Sequence, residues 1–203
     1  MKQETLKDLL EVFLTLQITK ELPRQGFIYS GFKRNDADSV AAHSFNVVAF
    51  AYLLSRELKN SGTNVDCDKV LKMAVLHDMG EAITGDIGTW VKVLAEGKFE
   101  EVEHKAFRLL TRNLSDKEEL VELFEEYNQL DTLESQVVKL ADALDAMAQG
   151  LNTPAARLED WKLADKNIIH HKIKDKRLRK ILEDSVNMLF ERKVSYFREH
   201  IKR

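Results

Sequence analysis

The 203-residue sequence is poor in cysteine, proline and glycine, with one, two and eight of these residues respectively. A single cysteine excludes an internal disulfide and a zinc site built from several cysteines, and Cys67 lies in a polar stretch where we expect no role for it. So few helix-breaking residues favour long helices over a turn-rich β fold. The hydrophobic content of 44% still predicts a sizeable core.

A strong positive charge and a long apolar run are also missing. The formal net charge is −3, which leaves no global basic field to hold nucleic acid. No apolar run approaches the roughly 20 residues that span a bilayer. The N-terminal residues form an acid-rich amphipathic pattern without the apolar core of a signal peptide. We therefore expect a cytoplasmic protein with no nucleic-acid and no membrane partner.

Apolar residues at helical spacing are what the sequence does contain. No stretch alternates with period two, so we predict an all-α fold that forms a single domain over residues 1–203. Ser115 and Glu118 have the spacing of a capping box, and Asp38 or Ser39 can cap the second helix. Residues 24–38 are predicted as a loop, and 150–175 carry no clear pattern. The predicted helices cover about 6–22, 39–58, 68–77, 90–95, 99–113, 115–127, 131–150 and 176–200.

Polar side chains interrupt three of these apolar stripes: His43, His77, Asp78 and Asp142. Charged groups are costly to bury unless they are paired or bound to a metal. Imidazole and carboxylate are the usual ligands of first-row divalent metals. Two histidines and two aspartates from three helices could therefore surround one ion and leave positions for water or phosphate. Asp145, one turn beyond Asp142, is either an alternative ligand or a hydrogen-bond partner of one.

The order of these residues is more specific than a His-Asp pair alone. The segments DSVAAHS, LHDMGEAITGD and KLADALDA resemble the HD-domain metal-dependent phosphohydrolases, most closely the 5'-deoxynucleotidase branch, over roughly residues 22–152. The resemblance implies an HD-domain helical bundle with extra C-terminal helices, a homodimer, and nucleoside 5'-monophosphates as substrates. It also implies that the metal ligands are His43, His77, Asp78 and Asp142.

The same resemblance implies roles for four more residues. Glu81 and Asp86 match acids of the branch: Glu81 would orient the attacking water and take its proton, and Asp86 would hydrogen-bond a sugar hydroxyl or assist proton transfer. Arg24 matches an arginine whose guanidinium can grip phosphate with two hydrogen bonds, and Lys92 could contact phosphate. The ordinary alternatives are a helix-end charge for Glu81, a helix N-cap for Asp86 and exposed charges for the two basic residues.

Two positions depart from the branch pattern. Ala42 stands where an acid usually precedes the first ligand histidine, so a hydrogen-bond partner for His43 is missing or supplied elsewhere. The branch keeps a tryptophan close after the arginine, whereas the segment here reads RQGF and leaves Phe27 as the nearby aromatic residue. This departure weakens the expectation of a strict preference for 2'-deoxyribose.

The sequence thus predicts a phosphohydrolase that removes phosphate from nucleoside 5'-monophosphates, with deoxynucleotides favoured, by attack of water activated on one divalent metal ion. The ion is Mn, Co, Mg, Ni, Fe or Zn. One alternative is hydrolysis of another nucleotide, such as a nucleoside triphosphate or guanosine tetraphosphate; Ala82 after Glu81 argues against the latter, whose hydrolases have an acidic pair there. Another is a helical module that senses a metal or nucleotide without turnover.

Overall fold

A computed structural model describes residues 1–95, 97–151 and 172–191. Most of the region without a clear pattern, and residues 192–200 of the predicted last helix, lie outside these ranges. Helices account for the regular structure of the described residues, which confirms the all-α prediction, and none of them is long and apolar enough to cross a membrane. They are α1 (Gln3–Leu16), a 3-10 helix (Gln17–Lys20), α2 (Gln25–Tyr29), α3 (Val40–Asn60), α4 (Cys67–Leu76), α5 (Glu81–Thr84), α6 (Thr89–Leu94), α7 (Lys98–Thr111), α8 (Lys117–Gln129), α9 (Leu133–Leu151) and α10 (Lys176–Phe190).

Helix α9 lies at the centre of the packing, against α3, α4, α8 and α10. Its apolar residues recur at three and four positions, so one broad face is apolar and faces the core. This face contributes to a single cluster of buried side chains with the neighbouring helices. The cluster includes Val137, Val138, Leu140, Ala141, Leu144 and Met147 of α9, Val47 and Ala51 of α3, Val70, Met73 and Ala74 of α4, and Leu178 and Leu182 of α10.

The N-terminal caps agree with the sequence at α3 but not at α8. Ser39 Oγ accepts a hydrogen bond from the Ala42 backbone N–H at 3.2 Å, as predicted for an N-cap serine. The predicted capping box at Ser115 and Glu118 is wrong. Helix α8 begins two residues after Ser115, so the hydroxyl lies outside the N-cap position, and the N-cap residue Asp116 makes no side-chain cap bond.

The predicted loop 24–38 contains the short helix α2, and its two ends are tied to each other. Pro23, before α2, and Ser39, after it, form an isolated antiparallel bridge. The Arg24 N–H donates to Asp38 O at 3.0 Å, and the Val40 N–H donates to Leu22 O at 2.9 Å. These bonds hold Arg24 beside the start of α3, from which His43 projects one turn later.

Two apolar features differ from expectation. Cys67, for which we expect no role, is the first residue of α4 and is buried in the core although the segment around it is polar. Helix α1, in contrast, has the predicted apolar spacing, but none of its residues is buried. Its exposed apolar side chains, which we call the α1 stripe, are Leu6, Leu9, Leu10, Phe13 and Leu14.

Candidate metal centre

The four residues predicted as metal ligands come together from three parts of the fold. His43 lies on the first turns of α3, His77 and Asp78 follow the last residue of α4, and Asp142 lies in the middle of α9. His77 Nε2 lies 3.2 Å from Asp78 Oδ2, and His43 Nε2 lies 3.6 Å from the same oxygen. His43 Nε2 is also 3.3 Å from Asp142 Oδ1. The potential ligand atoms of His43, His77 and Asp78 lie within 4.8 Å of one another, and Asp142 borders this group through its contact with His43 Nε2.

These side chains fit a single metal ion. His43 Nε2 and His77 Nε2 are buried, and neither has a hydrogen-bond partner among the described residues. An orphaned buried nitrogen is costly unless something outside the chain binds it. Two atoms that each lie about 2.1 Å from one ion, about 90–110° apart, are about 3.0–3.4 Å from each other. The observed separations lie at or near that range, and the mixed nitrogen and carboxylate set suits a first-row divalent cation.

Each histidine is oriented through its other ring nitrogen. His43 Nδ1 donates to Asp145 Oδ2 at 2.7 Å, and His77 Nδ1 donates to Ala74 O at 2.8 Å. Both rings consequently direct Nε2 into the site. Asp145 thus supplies the hydrogen-bond partner that Ala42 cannot, and it contacts the ring nitrogen of His43 that faces away from the proposed ion.

The electrostatics match a site built to hold positive charge. Burial lowers the pKa of His43, but the neighbouring carboxylates of Asp142 and Asp145 outweigh this and raise the pKa to about 9. Burial acts to raise the pKa of Asp78, yet the neighbouring His77 and Arg24 hold it well below its usual range. The pKa of Asp142 is likewise lowered against the effect of burial. Both carboxylates are therefore ionised at neutral pH and available to a cation.

Glu81 follows Asp78 by three residues and is the first residue of α5. The Glu81 backbone N–H donates to Asp78 O at 3.1 Å, so the two residues share one turn between α4 and α5. Its side chain is only 8% exposed, and Oε2 has no hydrogen-bond partner among the described residues. Burial, Asp78 and Asp86 together raise the pKa of Glu81 to about 10. A buried carboxyl that the structure leaves unpaired is suited to moving a proton rather than to stabilising the fold.

Asp86 has a contact that the sequence did not suggest. Its Oδ2 accepts a hydrogen bond from the Gln25 backbone N–H at the start of α2. It does not cap the following helix, because α6 has Gly88 as its N-cap. Asp86 thus ties the loop after α5 to the residue directly after Arg24.

Arg24 reaches further into the site than an ordinary ion pair would. Its Nη1 lies 3.3 Å from Asp78 Oδ2 and its Nη2 lies 3.9 Å from Asp142 Oδ1, and its side chain is 17% exposed. The guanidinium therefore borders the volume between the proposed ligands. Phe27, one helical turn later, packs against Phe32 with ring centroids 5.0 Å apart and is buried, so it offers no open ring face to a nucleoside.

Two lysines complete the surroundings of the site. Lys92 Nζ donates to Glu103 Oε1 at 2.8 Å. Among the hydrogen bonds and ion pairs of the described residues, none joins Lys92 to the four proposed ligands. Lys139 was not singled out from the sequence, because a Lys-Asp pair three residues apart is common on solvated helix faces. Its Nζ donates to Asp142 Oδ2 at 2.6 Å. The signal that could have found it is its position on the same helical face as a predicted ligand.

The fold and the site together define an all-α protein with a cluster of histidine and aspartate side chains that could hold a metal ion. A family model described as HD domain matches residues 16–185. The chain therefore belongs to the HD-domain family.

Named relatives and a solved structure agree with this family. The chain is 30% identical over 161 residues to the 5'-deoxynucleotidase HDDC2 of Xenopus laevis, covering 78% of this chain and 76% of the relative. It is 28% identical over 162 residues to the human 5'-deoxynucleotidase HDDC2, covering 76% of this chain and 75% of the relative. A conserved hypothetical protein from Pyrococcus furiosus has a similar structure, with a TM-score of 0.72, 34% identity, and coverage of 88% of this chain and 99% of that one.

Proposed function

We propose that this chain is a metal-dependent phosphohydrolase that removes phosphate from nucleoside 5'-monophosphates, with deoxynucleotides favoured. The observation that carries the proposal is the convergence of four ligand side chains with two buried, unpartnered ring nitrogens. The substrate class is supported by the relatives, which are named 5'-deoxynucleotidases. A module that only senses a metal would have no use for the unpaired buried carboxyl of Glu81 beside that centre.

The metal ligands in this proposal are His43, His77, Asp78 and Asp142. A divalent cation held by them would lower the pKa of a water molecule and offset negative charge on the phosphoryl oxygens. Asp145 keeps the Nε2 atom of His43 directed at the centre. The identity of the ion is left to measurement, since the donor set suits several divalent metals.

The remaining residues bind the substrate and move protons. Arg24 donates to phosphoryl oxygens, because its two Nη groups already border the centre and match phosphate geometry. Glu81 accepts a proton from the attacking water once positive charge in the site offsets the charges of Asp78 and Asp86 that raise its pKa. Asp86 holds the start of α2 next to Arg24 with one oxygen, and we expect its other oxygen to bind a sugar hydroxyl. Lys92 is a further phosphate contact at the rim.

The assembly and location of the protein are part of the same proposal. A homodimer is supported by the exposed α1 stripe, an apolar surface that the other described residues leave open. The net charge of −3 favours no nucleic-acid partner, and we expect the protein to act in the cytoplasm. Light scattering on the purified protein should give twice the mass of one chain; a monomer at micromolar concentration would remove the dimer from the proposal.

The substrate class is tested with a nucleotide panel and phosphate detection. The purified protein is first stripped of metal and then supplied with Mn, Co, Mg, Ni, Fe or Zn. We expect phosphate release from 2'-deoxynucleoside 5'-monophosphates, slower release from ribonucleotides, and none after chelation. Because Phe27 offers no open face to the nucleoside, the difference between deoxy and ribo substrates should be modest. Preference for a nucleoside triphosphate or guanosine tetraphosphate over every monophosphate would overturn the proposed substrate.

A further inference from the structure

The two oxygens of the Asp142 carboxylate contact different partners. Its Oδ1 lies 3.3 Å from His43 Nε2, on the side of the proposed ion. Its Oδ2 accepts the hydrogen bond from Lys139 Nζ at 2.6 Å. The Lys139 side chain is 23% exposed, so its ammonium is half-buried at the wall of the site rather than free in solvent. Lys139 and Asp142 are three positions apart on α9, so their side chains lie on the same face of the helix.

Counting charges shows what this lysine adds. A divalent cation and the ionised carboxylates of Asp78 and Asp142 sum to zero, so together they hold no net charge for a phosphomonoester dianion. Arg24 supplies one positive charge at the centre. Lys139 supplies a second positive charge, next to the proposed ligand Asp142.

The other lysines near the site are less well placed for this task. Lys92 is paired at 2.8 Å with Glu103, which is outside the proposed ligand set, and its side chain is 42% exposed. Lys172 lies close enough to Lys139 that the charge of Lys139, followed by burial, lowers the Lys172 pKa. Among these lysines, Lys139 is the one bonded to a proposed metal ligand, and the lowered pKa makes Lys172 the weaker carrier of positive charge.

We propose that Lys139 contacts the substrate, donating one N–H to Asp142 Oδ2 and another to a phosphoryl oxygen. An ammonium group has three donors and no acceptor, so the bond to Asp142 leaves two donors for a ligand. This inference rests on the proposed function and adds a phosphate-binding residue to it. The Asp142 contact keeps Lys139 from turning outward, and so holds the donor where the phosphate binds.

The competing explanation is an ordinary pair on a helix surface. Lys180 and Asp184 on α10 form such a pair, with Nζ and Oδ1 3.0 Å apart and the lysine side chain 73% exposed. Exposed pairs of this kind contribute little to stability. Lys180→Met is therefore a matched control that removes the same charge from the same type of pair outside the site.

The experiment measures phosphate and metal binding separately. Inorganic phosphate is titrated into the Mn²⁺-loaded protein by isothermal calorimetry, and Mn²⁺ is titrated into the metal-free protein. Lys139→Met should weaken phosphate binding by about 10–100-fold, the loss of one charge-assisted hydrogen bond. Lys139→Arg, which keeps the charge, should restore most of it, and Lys180→Met should match the wild type. The Mn²⁺ affinity of Lys139→Met should not fall, because the carboxylate of Asp142 remains.

Several outcomes would overturn the inference. Unchanged phosphate affinity in Lys139→Met would do so, and so would a loss of Mn²⁺ affinity that accounts for the whole phosphate effect, since Lys139 would then act only on Asp142. If Lys139→Met melts at a lower temperature than the wild type, Lys139→Gln, which keeps a polar side chain, provides the same comparison. Failure of the wild type itself to bind phosphate or release it from deoxyadenosine 5'-monophosphate would defeat the proposed function, a result that needs no variant.

Discussion

Helices α9 and α1 carry apolar residues at the same helical spacing, yet their surroundings are opposite. On α9, Leu140 is fully buried and Met147 is 3% exposed. On α1, Leu10 is 49% exposed and Phe13 is 57% exposed. The comparison teaches that periodicity identifies the two faces of a helix without saying what covers the apolar one. That depends on tertiary packing.

The difference between an enclosed and an exposed position also determines what an aspartate can bind. Asp142 on α9 lies within the bundle, faces His43 and Arg24, and has a side chain 15% exposed. The side chain of Asp184 on α10 is 50% exposed and forms an ion pair with Lys180. Because charge is costly to bury without a partner, the enclosed aspartate needs a cation, whereas the exposed one is satisfied by water.

The largest effect should come from removing the enclosed aspartate. Asp142→Ala takes away one proposed ligand and several kcal/mol of stabilisation of charge by the metal, so we expect loss of tight Mn²⁺ binding and a rate lower by at least about a thousandfold. Calorimetry and phosphate release measure the two effects. Asp184→Ala is the control and should change neither. An Asp142→Ala protein with wild-type Mn²⁺ affinity would break the comparison.

Glu81→Gln should separate proton transfer from metal binding. The substitution preserves shape but removes the group proposed to accept a proton, so the rate should fall by about 10²–10⁴-fold. Mn²⁺ binding should persist, because Glu81 is outside the proposed ligand set. Since the Glu81 carboxyl is buried beside Asp78 and Asp86, the metal-free variant should melt no lower than the wild type. A variant with full activity would remove Glu81 from the mechanism.

Stability measurements test the two apolar faces directly. Leu140→Ala on α9 should lower the free energy of unfolding by about 2–5 kcal/mol, because it leaves a cavity in the core. Leu10→Ala on α1 should change it by no more than about 0.5 kcal/mol in a single copy of the chain. Urea denaturation at a protein concentration below that of self-association measures both. Equal losses at the two positions would show that the α1 stripe is covered within one chain.

A smaller effect is expected from the residue that orients His43. Asp145→Ala removes the acceptor for Nδ1, and loss of such a partner weakens metal binding by about 10–100-fold. Asp145→Asn keeps an oxygen acceptor and should retain most of the affinity. Calorimetric Mn²⁺ titrations of the two variants test this order. If the alanine and asparagine variants both bind as the wild type does, His43 does not depend on Asp145 for its orientation.

The all-α fold could be predicted from residue type and helical spacing, whereas the four-residue ligand set also needed the resemblance of three segments to the HD-domain phosphohydrolases. His43 and Asp142 are visible as polar residues on otherwise apolar stripes. Short or tertiary features could not be predicted in this way. Helix α2, with five residues, is too short to show a period. The site contact of Arg24 depends on the Pro23–Ser39 bridge, which joins segments with no local signal.

Two further differences have local physical reasons. The capping-box pattern at Ser115 and Glu118 was wrong because α8 begins at Lys117, so the spacing matched without the helix boundary. Lys139 was overlooked because its pairing with Asp142 looks the same on a solvated helix as on a buried one. Only the fold distinguishes them.

The most direct test of the central claim is a crystal structure of the Mn²⁺-soaked protein with anomalous diffraction at the manganese edge. We predict one strong anomalous peak within about 2.0–2.3 Å of His43 Nε2, His77 Nε2, Asp78 Oδ2 and Asp142 Oδ1. A peak elsewhere in the molecule, or full Mn²⁺-dependent activity with no peak between these four side chains, would contradict the account.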